Sequence, residues 1–476
     1  MKIKVVGAAG GEVTGSAYFV QTERAKVLVD AGMFQGGKKS EAKNRLPSGV
    51  NLSKLDAVLL THAHLDHTGR VPLLIKHGYS GVVFATATTI ELAELILQDS
   101  ARLQVQDAQR TNRRLGFSVQ GRVEPLYKPE HVARFRRMAQ AVPFREPVHV
   151  ADGMSARWIE AGHILGSASI ELTIKDNGRG WIVVFSGDLG PTGRPIVRDF
   201  ERLSRADLVF LEATYGDRDH RSYSETVAEF EDVVKRAVDG RGRILVPTFA
   251  IGRAQQMLYH LAIMFHRGVV RPFHVYLDSP MAIEASKAMV KHPDLFDEEL
   301  LEWKNRGLLP LDKKWFHSSV TPHDSQSLNN VEGPCLILAG AGMCNGGRIL
   351  HHFRHGLPRE NTHVLIVGYQ GNGSLGRRLV EGAKSVSIYR EKVSVRAAVH
   401  TLGGFSAHAG QTELLKWFTP LAPSSPRVII THGEDGPRRT LSAAIQQKFG
   451  LIPQLPVQGD VIEVARASAT SASLAS

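Results

Sequence analysis

The chain is poor in cysteine. Only Cys335 and Cys344 occur among 476 residues, which excludes a disulfide framework and a multi-cysteine zinc ribbon. Any metal site must therefore rest on histidine and carboxylate. Long apolar runs are also missing, and no stretch approaches the roughly 18 residues of a membrane span. The N-terminus, Met1-Lys2-Ile3-Lys4-Val5-Val6, is a short strand-like run followed by glycines, without the apolar core of a signal peptide. These absences point to a soluble, cytoplasmic protein with no membrane partner. Acidic residues are in the minority, 47 Asp and Glu against 58 Lys and Arg, for a net charge of +11. That balance permits an anionic partner such as nucleic acid without specifying one. The length allows two or three domains, and the 43% hydrophobic and 22% charged fractions are those of a globular protein.

Short β-branched runs alternate with longer helical patterns. Strands are expected at 2–6, 26–29, 57–60, 82–84, 181–185, 208–211, 244–246, 274–277, 335–338, 364–367, 393–398 and 428–430. Helices are expected at 89–100, 224–238, 253–266, 281–291, 412–418 and 438–448. The alternation predicts an α/β fold. Residues 102–146 hold ten Lys and Arg against four acids, which fits a solvated helical face, a nucleic-acid surface or a subunit interface, as in a homodimer. The Ala/Ser-rich tail 465–476 reads as disordered.

What the chain does have is histidine, 21 in all, with three concentrated in Thr61-His62-Ala63-His64-Leu65-Asp66-His67-Thr68-Gly69. Directly after an apolar strand, alternate residues of an extended segment point the same way. His62 and His64 can therefore grip one ion, while Asp66 and His67, where the chain turns, can face a second. Imidazole and carboxylate suit Zn²⁺, with Mn²⁺ as an alternative. One loop cannot complete two coordination spheres. Further polar residues stand where apolar runs end: Asp188 in Ser186-Gly187-Asp188, Glu212 after Leu211, and His432 after Thr431. His163 lies in Ala161-Gly162-His163-Ile164-Leu165-Gly166-Ser167. In α/β proteins, strand ends that point one way build the site.

These motifs resemble those of metallo-β-lactamase-fold nucleases of the β-CASP family, over nearly the whole chain. The resemblance rests on the His62–His67 loop, on Asp30 in Leu28-Val29-Asp30-Ala31-Gly32, on His163 and Asp188, and on three further features. These are Glu212 in Leu211-Glu212-Ala213-Thr214, His408 in Gly404-Phe405-Ser406-Ala407-His408, and His432 in Thr431-His432-Gly433-Glu434. It implies a metallo-β-lactamase αββα sandwich split into residues 1–215 and 386–464, with an α/β β-CASP domain inserted at 216–385 and the active site between them. It further implies two Zn²⁺ per chain, one on His62, His64, His163 and Asp188, the other on Asp66, His67, Asp188 and His432. A bridging carboxylate would hold such ions roughly 3.5–4 Å apart, with Asp30 supporting the loop from behind.

By the same resemblance, His408 donates a proton to the leaving ribose oxygen and Glu212 sets its tautomer and raises its pKa; Asp66 completes the catalytic set. Several DNA-acting members carry a small apolar residue where this chain has His408, so the histidine favours single-stranded RNA. Ser406, Ala407, Arg348 and Arg377 are expected beside the substrate phosphates, with Arg378 as a further candidate, and Arg253 could serve as a structural ion pair instead. His400 is a weaker site candidate. The expected activity is a two-metal ribonuclease of RNA processing or decay, endonucleolytic given the compact chain, with 5′ exonuclease activity as a second mode. The competing readings are a DNA-acting β-CASP nuclease, another hydrolase of the metallo-β-lactamase superfamily, and a degenerate member that only binds RNA.

Overall fold

The computed structural model describes residues 1–35, 42–47, 49–115, 122–176, 178–371 and 373–464. The expected tail 465–476 lies outside them, as does Asn372. Two mixed sheets stack face to face. The first has seven strands in the order 461–463, 2–7, 17–21, 26–29, 57–59, 82–86, 139–142. The second has six, in the order 427–431, 208–212, 179–185, 168–176, 154–160, 148–151. Val5, Val27 and Leu59 from one sheet and Trp158, Ile170 and Phe185 from the other fill the shared core. The outer face of the first sheet packs Val58 and Val83 against the helices Val71–Lys76, Ala87–Leu115 and Pro129–Met138. The outer face of the second packs Val209, Leu211 and Ile430 against Gln411–Phe418 and Asp435–Phe449. This is the expected αββα sandwich.

Between these halves the chain builds a third sheet of six parallel strands, in the order 316–318, 274–278, 335–339, 243–247, 362–366, 398–401. Helices cover both its faces: Tyr223–Asp239 and Arg253–His266 on one, Ile349–Gly356 and Leu375–Val380 on the other. The doubly covered parallel sheet explains why its strands read as continuous apolar runs. Its sixth strand comes late in the chain. His363–Ile366 pairs with Ala398–Thr401, so the inserted sheet takes its last strand well past 386. The expected strand 393–398 is likewise two pieces: Glu391–Ser394 closes a hairpin on Ser385–Ile388, and Ala398–Thr401 joins the sheet.

The antiparallel strands Met154–Glu160 and Ala168–Asp176, absent from the expected strands, alternate apolar and polar residues, as in Ile170-Glu171-Leu172-Thr173-Ile174-Lys175. Ser169 and Glu171 are buried within the second of them, with Glu171 held by Arg157 at 2.8 Å. The basic segment 102–146 is mostly the distal part of Ala87–Leu115 and the helix Pro129–Met138. Ala108, Val132 and Phe135 face the core while Arg102, Arg110, Arg134 and Arg137 are exposed. Among the described residues, no helix is long and apolar enough to cross a membrane.

Candidate metal centre and active site

The His62–His67 loop leaves the strand Ala57–Leu59 and turns into the short helix Leu65–Thr68. The loops after Val29 and before Ala17 clasp it: Ala31 N–H donates to His67 O, Met33 N–H to Leu65 O, and Ser16 N–H to Asp66 O. The approach is close enough that a Cβ on Gly32 would stand 1.5 Å from Asp66 O, so only glycine fits there. Asp30 adopts φ 57°. Its carboxylate accepts from Thr61 N–H at 2.9 Å and lies 2.7 Å from His67 Nδ1.

Four other segments deliver the remaining groups. His163 sits in the turn between the strands 154–160 and 168–176, and Asp188 follows the strand 179–185. Glu212 ends the strand Leu208–Glu212, and His432 follows Arg427–Thr431. The structure brings them together in two groups that share Asp188. His62 Nε2 and His163 Nε2 each lie 3.1 Å from His64 Nδ1, and 3.5 and 3.7 Å from Asp188 Oδ2. On the other side, His67 Nε2 and His432 Nε2 are 3.1 Å apart and lie 3.2 and 3.5 Å from Asp188 Oδ1; Asp66 Oδ2 is 3.7 Å from His432 Nε2.

The donor set fits divalent ions. His163 Nδ1 is 2.8 Å from the Ala407 carbonyl, which can only accept, so Nδ1 carries the proton and Nε2 turns a lone pair inward. Asp30 fixes His67 in the same way. Thr61 Oγ1 and Thr214 Oγ1 stand behind His62 Nδ1 and His432 Nδ1 at 3.1 and 3.3 Å. Asp188 is buried, and its Oδ1 has no hydrogen-bond partner. Converging lone pairs around an orphaned buried carboxylate oxygen are what bound divalent cation charge relieves. Burial holds His62 and His163 well below the usual imidazole pKa, which keeps them in the neutral form a metal requires. Burial opposes ionisation of Asp188, but the surrounding imidazoles, His432 first, outweigh it and hold the carboxyl well below its usual range.

A third group adjoins these two. His408 Nδ1 is 3.4 Å from Glu212 Oε1 and 3.9 Å from Asp188 Oδ2. Glu212 is itself fixed by Leu189 N–H at 2.7 Å and Thr214 N–H at 3.1 Å. Burial works against charging His408, but Glu212 and then Asp188 overcome it and push its pKa up to about 9. His408 lies where the chain returns from the inserted sheet: Leu402 N–H donates to Ile366 O, and Ala409 N–H to Leu189 O. Ser406 Oγ accepts from His408 N–H at 3.2 Å, and His220 Nε2 lies 2.8 Å from the His408 carbonyl.

The expected phosphate residues divide. Ser406 and Ala407 adjoin the centre, although the Ala407 carbonyl serves His163. Arg348 does not reach outward: its guanidinium binds Asp278 Oδ1 at 2.7 Å and the carbonyls of Ser319 and Val320 at 2.9 and 2.7 Å, while His352 and Ser325 hold the other oxygen of the buried Asp278. Arg377 is exposed and paired with Glu381 one turn on. Arg378 donates to Ser385 O at 3.3 Å, and Arg253 is buried against Gln256. His400 stacks on His363, 5.4 Å between centroids, on adjacent strands of the inserted sheet and away from the centre. The orienting roles of Thr61, Thr214, His220 and the Ala407 carbonyl carry no sequence signal, because they depend on where backbone and hydroxyls land in space.

Residues 10–248 match the model of the metallo-beta-lactamase superfamily, 254–379 that of the Beta-Casp domain, and 392–456 that of the Zn-dependent metallo-hydrolase RNA specificity domain. The chain is 41% identical to ribonuclease TTHA0252 of Thermus thermophilus, over 91% of this chain and 94% of the relative. It is 31% identical to transcription termination factor FttA of Cenarchaeum symbiosum, over 94% and 68%. A solved structure of a protein of unknown function from Enterococcus faecalis V583 shares the fold, with a TM-score of 0.54 at 12% identity over 97% of this chain and 99% of that one. The chain belongs to the metallo-β-lactamase superfamily and, within it, to the β-CASP family.

Proposed function

We propose that the protein is a two-metal ribonuclease that hydrolyses phosphodiester bonds of single-stranded RNA, in RNA processing or decay. The observation that carries this reading is the pair of imidazole-carboxylate groups joined through Asp188, with Glu212–His408 beside them. Likeness to a ribonuclease and to a protein that acts in transcription termination supports RNA over DNA. His62, His64, His163 and Asp188 would hold one ion, and Asp66, His67, His432 and Asp188 the other; zinc suits these donors best. Bound there, the ions supply Lewis-acid polarisation of the phosphoryl group and activation of water.

The chain's own groups do the rest. His408, kept protonated by Glu212, stands on the open side of the centre, 23% exposed, where it can give a proton to the leaving ribose oxygen. Glu212 cannot rotate away, because two backbone N–H groups hold it. Asp66 is the more exposed of the two carboxylates that face His432 and lies towards the substrate side. Arg377, paired with Glu381 at the surface, is the remaining arginine candidate for a phosphate contact.

The experiment is incubation of the zinc-loaded protein with 5′- and 3′-labelled single-stranded RNA and the matched DNA. Internal RNA fragments at first encounter are expected. Mononucleotides from one end would replace the endonuclease by an exonuclease, and equal rates on DNA would remove the RNA preference.

A further inference from the structure

Two large aromatic side chains stand half-exposed beside the centre, although the mechanism uses neither. Phe249 and Tyr369 are each 42% exposed. They follow the C-terminal ends of two paired strands of the inserted sheet, Arg243–Pro247 and Thr362–Ile366. Both lie at the junction with the metallo-β-lactamase domain. Tyr369 donates through its hydroxyl to Glu434 Oε1 at 3.0 Å, two residues beyond His432. It also meets Tyr215 edge-on at 6.4 Å, and Tyr215 in turn lies 6.3 Å from His408. The loop of Phe249 runs on to Gly252, where a Cβ would touch Ile164, the neighbour of His163.

Phe249 is backed by glycine on one side. A Cβ on Gly342 would stand 2.7 Å from its ring, and one on Gly368 would stand 3.6 Å away. One side of the ring therefore rests on bare backbone while a large part of the side chain stays open to the cleft. An apolar ring held in place and left half-exposed forgoes the stabilisation of burial unless a ligand covers it. Next to a phosphodiester-cleaving centre, a flat apolar partner of matching size is a nucleobase. A base within a duplex offers no free face, whereas an unpaired base stacks on aromatic side chains.

We propose that Phe249 and Tyr369 form a stacking platform for an unpaired RNA base flanking the scissile phosphate. The platform sets where the strand lies relative to His408 and restricts cleavage to nucleotides that are not base-paired. This deepens the ribonuclease reading and rests on it. Phe249 and Tyr369 are positioning residues, and the hydroxyl of Tyr369 fixes its ring against Glu434.

The test uses RNA with a single cut site and an abasic residue at each of the four nucleotides around it, with zinc-loaded wild type and variants. For the wild type, one abasic position should raise KM about tenfold, within the range of a single stacking contact. Phe249→Ala should show that loss on intact RNA and little further loss on the abasic one. Phe249→Trp should behave as wild type, whereas Phe249→Leu, which keeps apolar bulk without a flat face, should resemble Phe249→Ala. Tyr369→Phe should keep the abasic penalty. Wild-type behaviour of Phe249→Leu, or an abasic penalty undiminished in both Phe249→Ala and Tyr369→Ala, overturns the platform. A wild type that cleaves RNA but ignores every abasic substitution overturns the platform and leaves the ribonuclease standing. A wild type that neither cleaves nor binds RNA overturns both.

Discussion

Two carboxylate–histidine pairs stand within the same centre and are built differently. Asp30 and His67 are both about 1% exposed, 2.7 Å apart, and belong to two loops of one half-domain that clasp each other. Glu212 and His408 are 3.4 Å apart, and His408 is 23% exposed. They are separated by 196 positions and meet only because the chain returns from the inserted sheet. The first pair locks an imidazole so that one nitrogen faces inward. Both raise the proton affinity of their imidazole, but the second leaves its imidazole an open side. On the proposed reading, tightness and burial suit the ligand, and looser contact and access suit the proton donor.

Substitutions that separate the two roles test this contrast. The largest effect falls on what both depend on. Asp188→Ala removes the carboxylate shared by both groups, so bound zinc should fall and RNA cleavage should drop by several orders of magnitude, read by metal analysis and initial rates. His408→Ala should cost roughly 10²–10⁴-fold in rate, the range of a lost general acid, while zinc content stays at the wild-type value. Asp30→Asn should show the opposite pattern, with zinc affinity falling roughly 10–100-fold by chelator competition and activity recovering at saturating zinc.

Glu212→Gln should act through pH. With its pKa pushed up to about 9, His408 is protonated below that pH and loses its proton above it, so the rate should fall on the alkaline side. Removing the Glu212 charge lowers that pKa, so the alkaline limb should move to lower pH in the pH–rate profile, with bound zinc unchanged. The smallest effect on chemistry is expected at Arg348. Arg348→Ala strips a charged partner from buried Asp278 and should cost about 1–3 kcal/mol of stability in a denaturation curve. RNA affinity should stay close to wild type.

The locked pair was the easier one to read from sequence. His62, His64, Asp66 and His67 share one loop at extended and turn spacing, so chemistry and position coincide in the string. Asp188, Glu212 and His432 were readable because each ends an apolar run. What hid was whatever topology decides. The Ala407 carbonyl serves His163 from 244 positions away, and no residue type advertises a carbonyl. Arg348 reads as a phosphate ligand beside glycines, yet the buried charge of Asp278 claims it. The strands Met154–Glu160 and Ala168–Asp176 alternate polar and apolar residues, as in Ser169 to Lys175, so no continuous apolar run marks them and their signal is the period of two alone. The place of Ala398–Thr401 in the inserted sheet was hidden too, because its pairing with Thr362–Ile366 is nonlocal.

The central claim is that the two groups sharing Asp188 hold ions and that the third, Asp188–Glu212–His408, holds a proton. Anomalous diffraction at the zinc absorption edge, from crystals of the zinc-loaded protein, tests it directly. The account predicts two peaks, one among His62, His64 and His163 and one among Asp66, His67 and His432, with none between Glu212 and His408. A peak coordinated by His408, or a single peak in the whole centre, would contradict it.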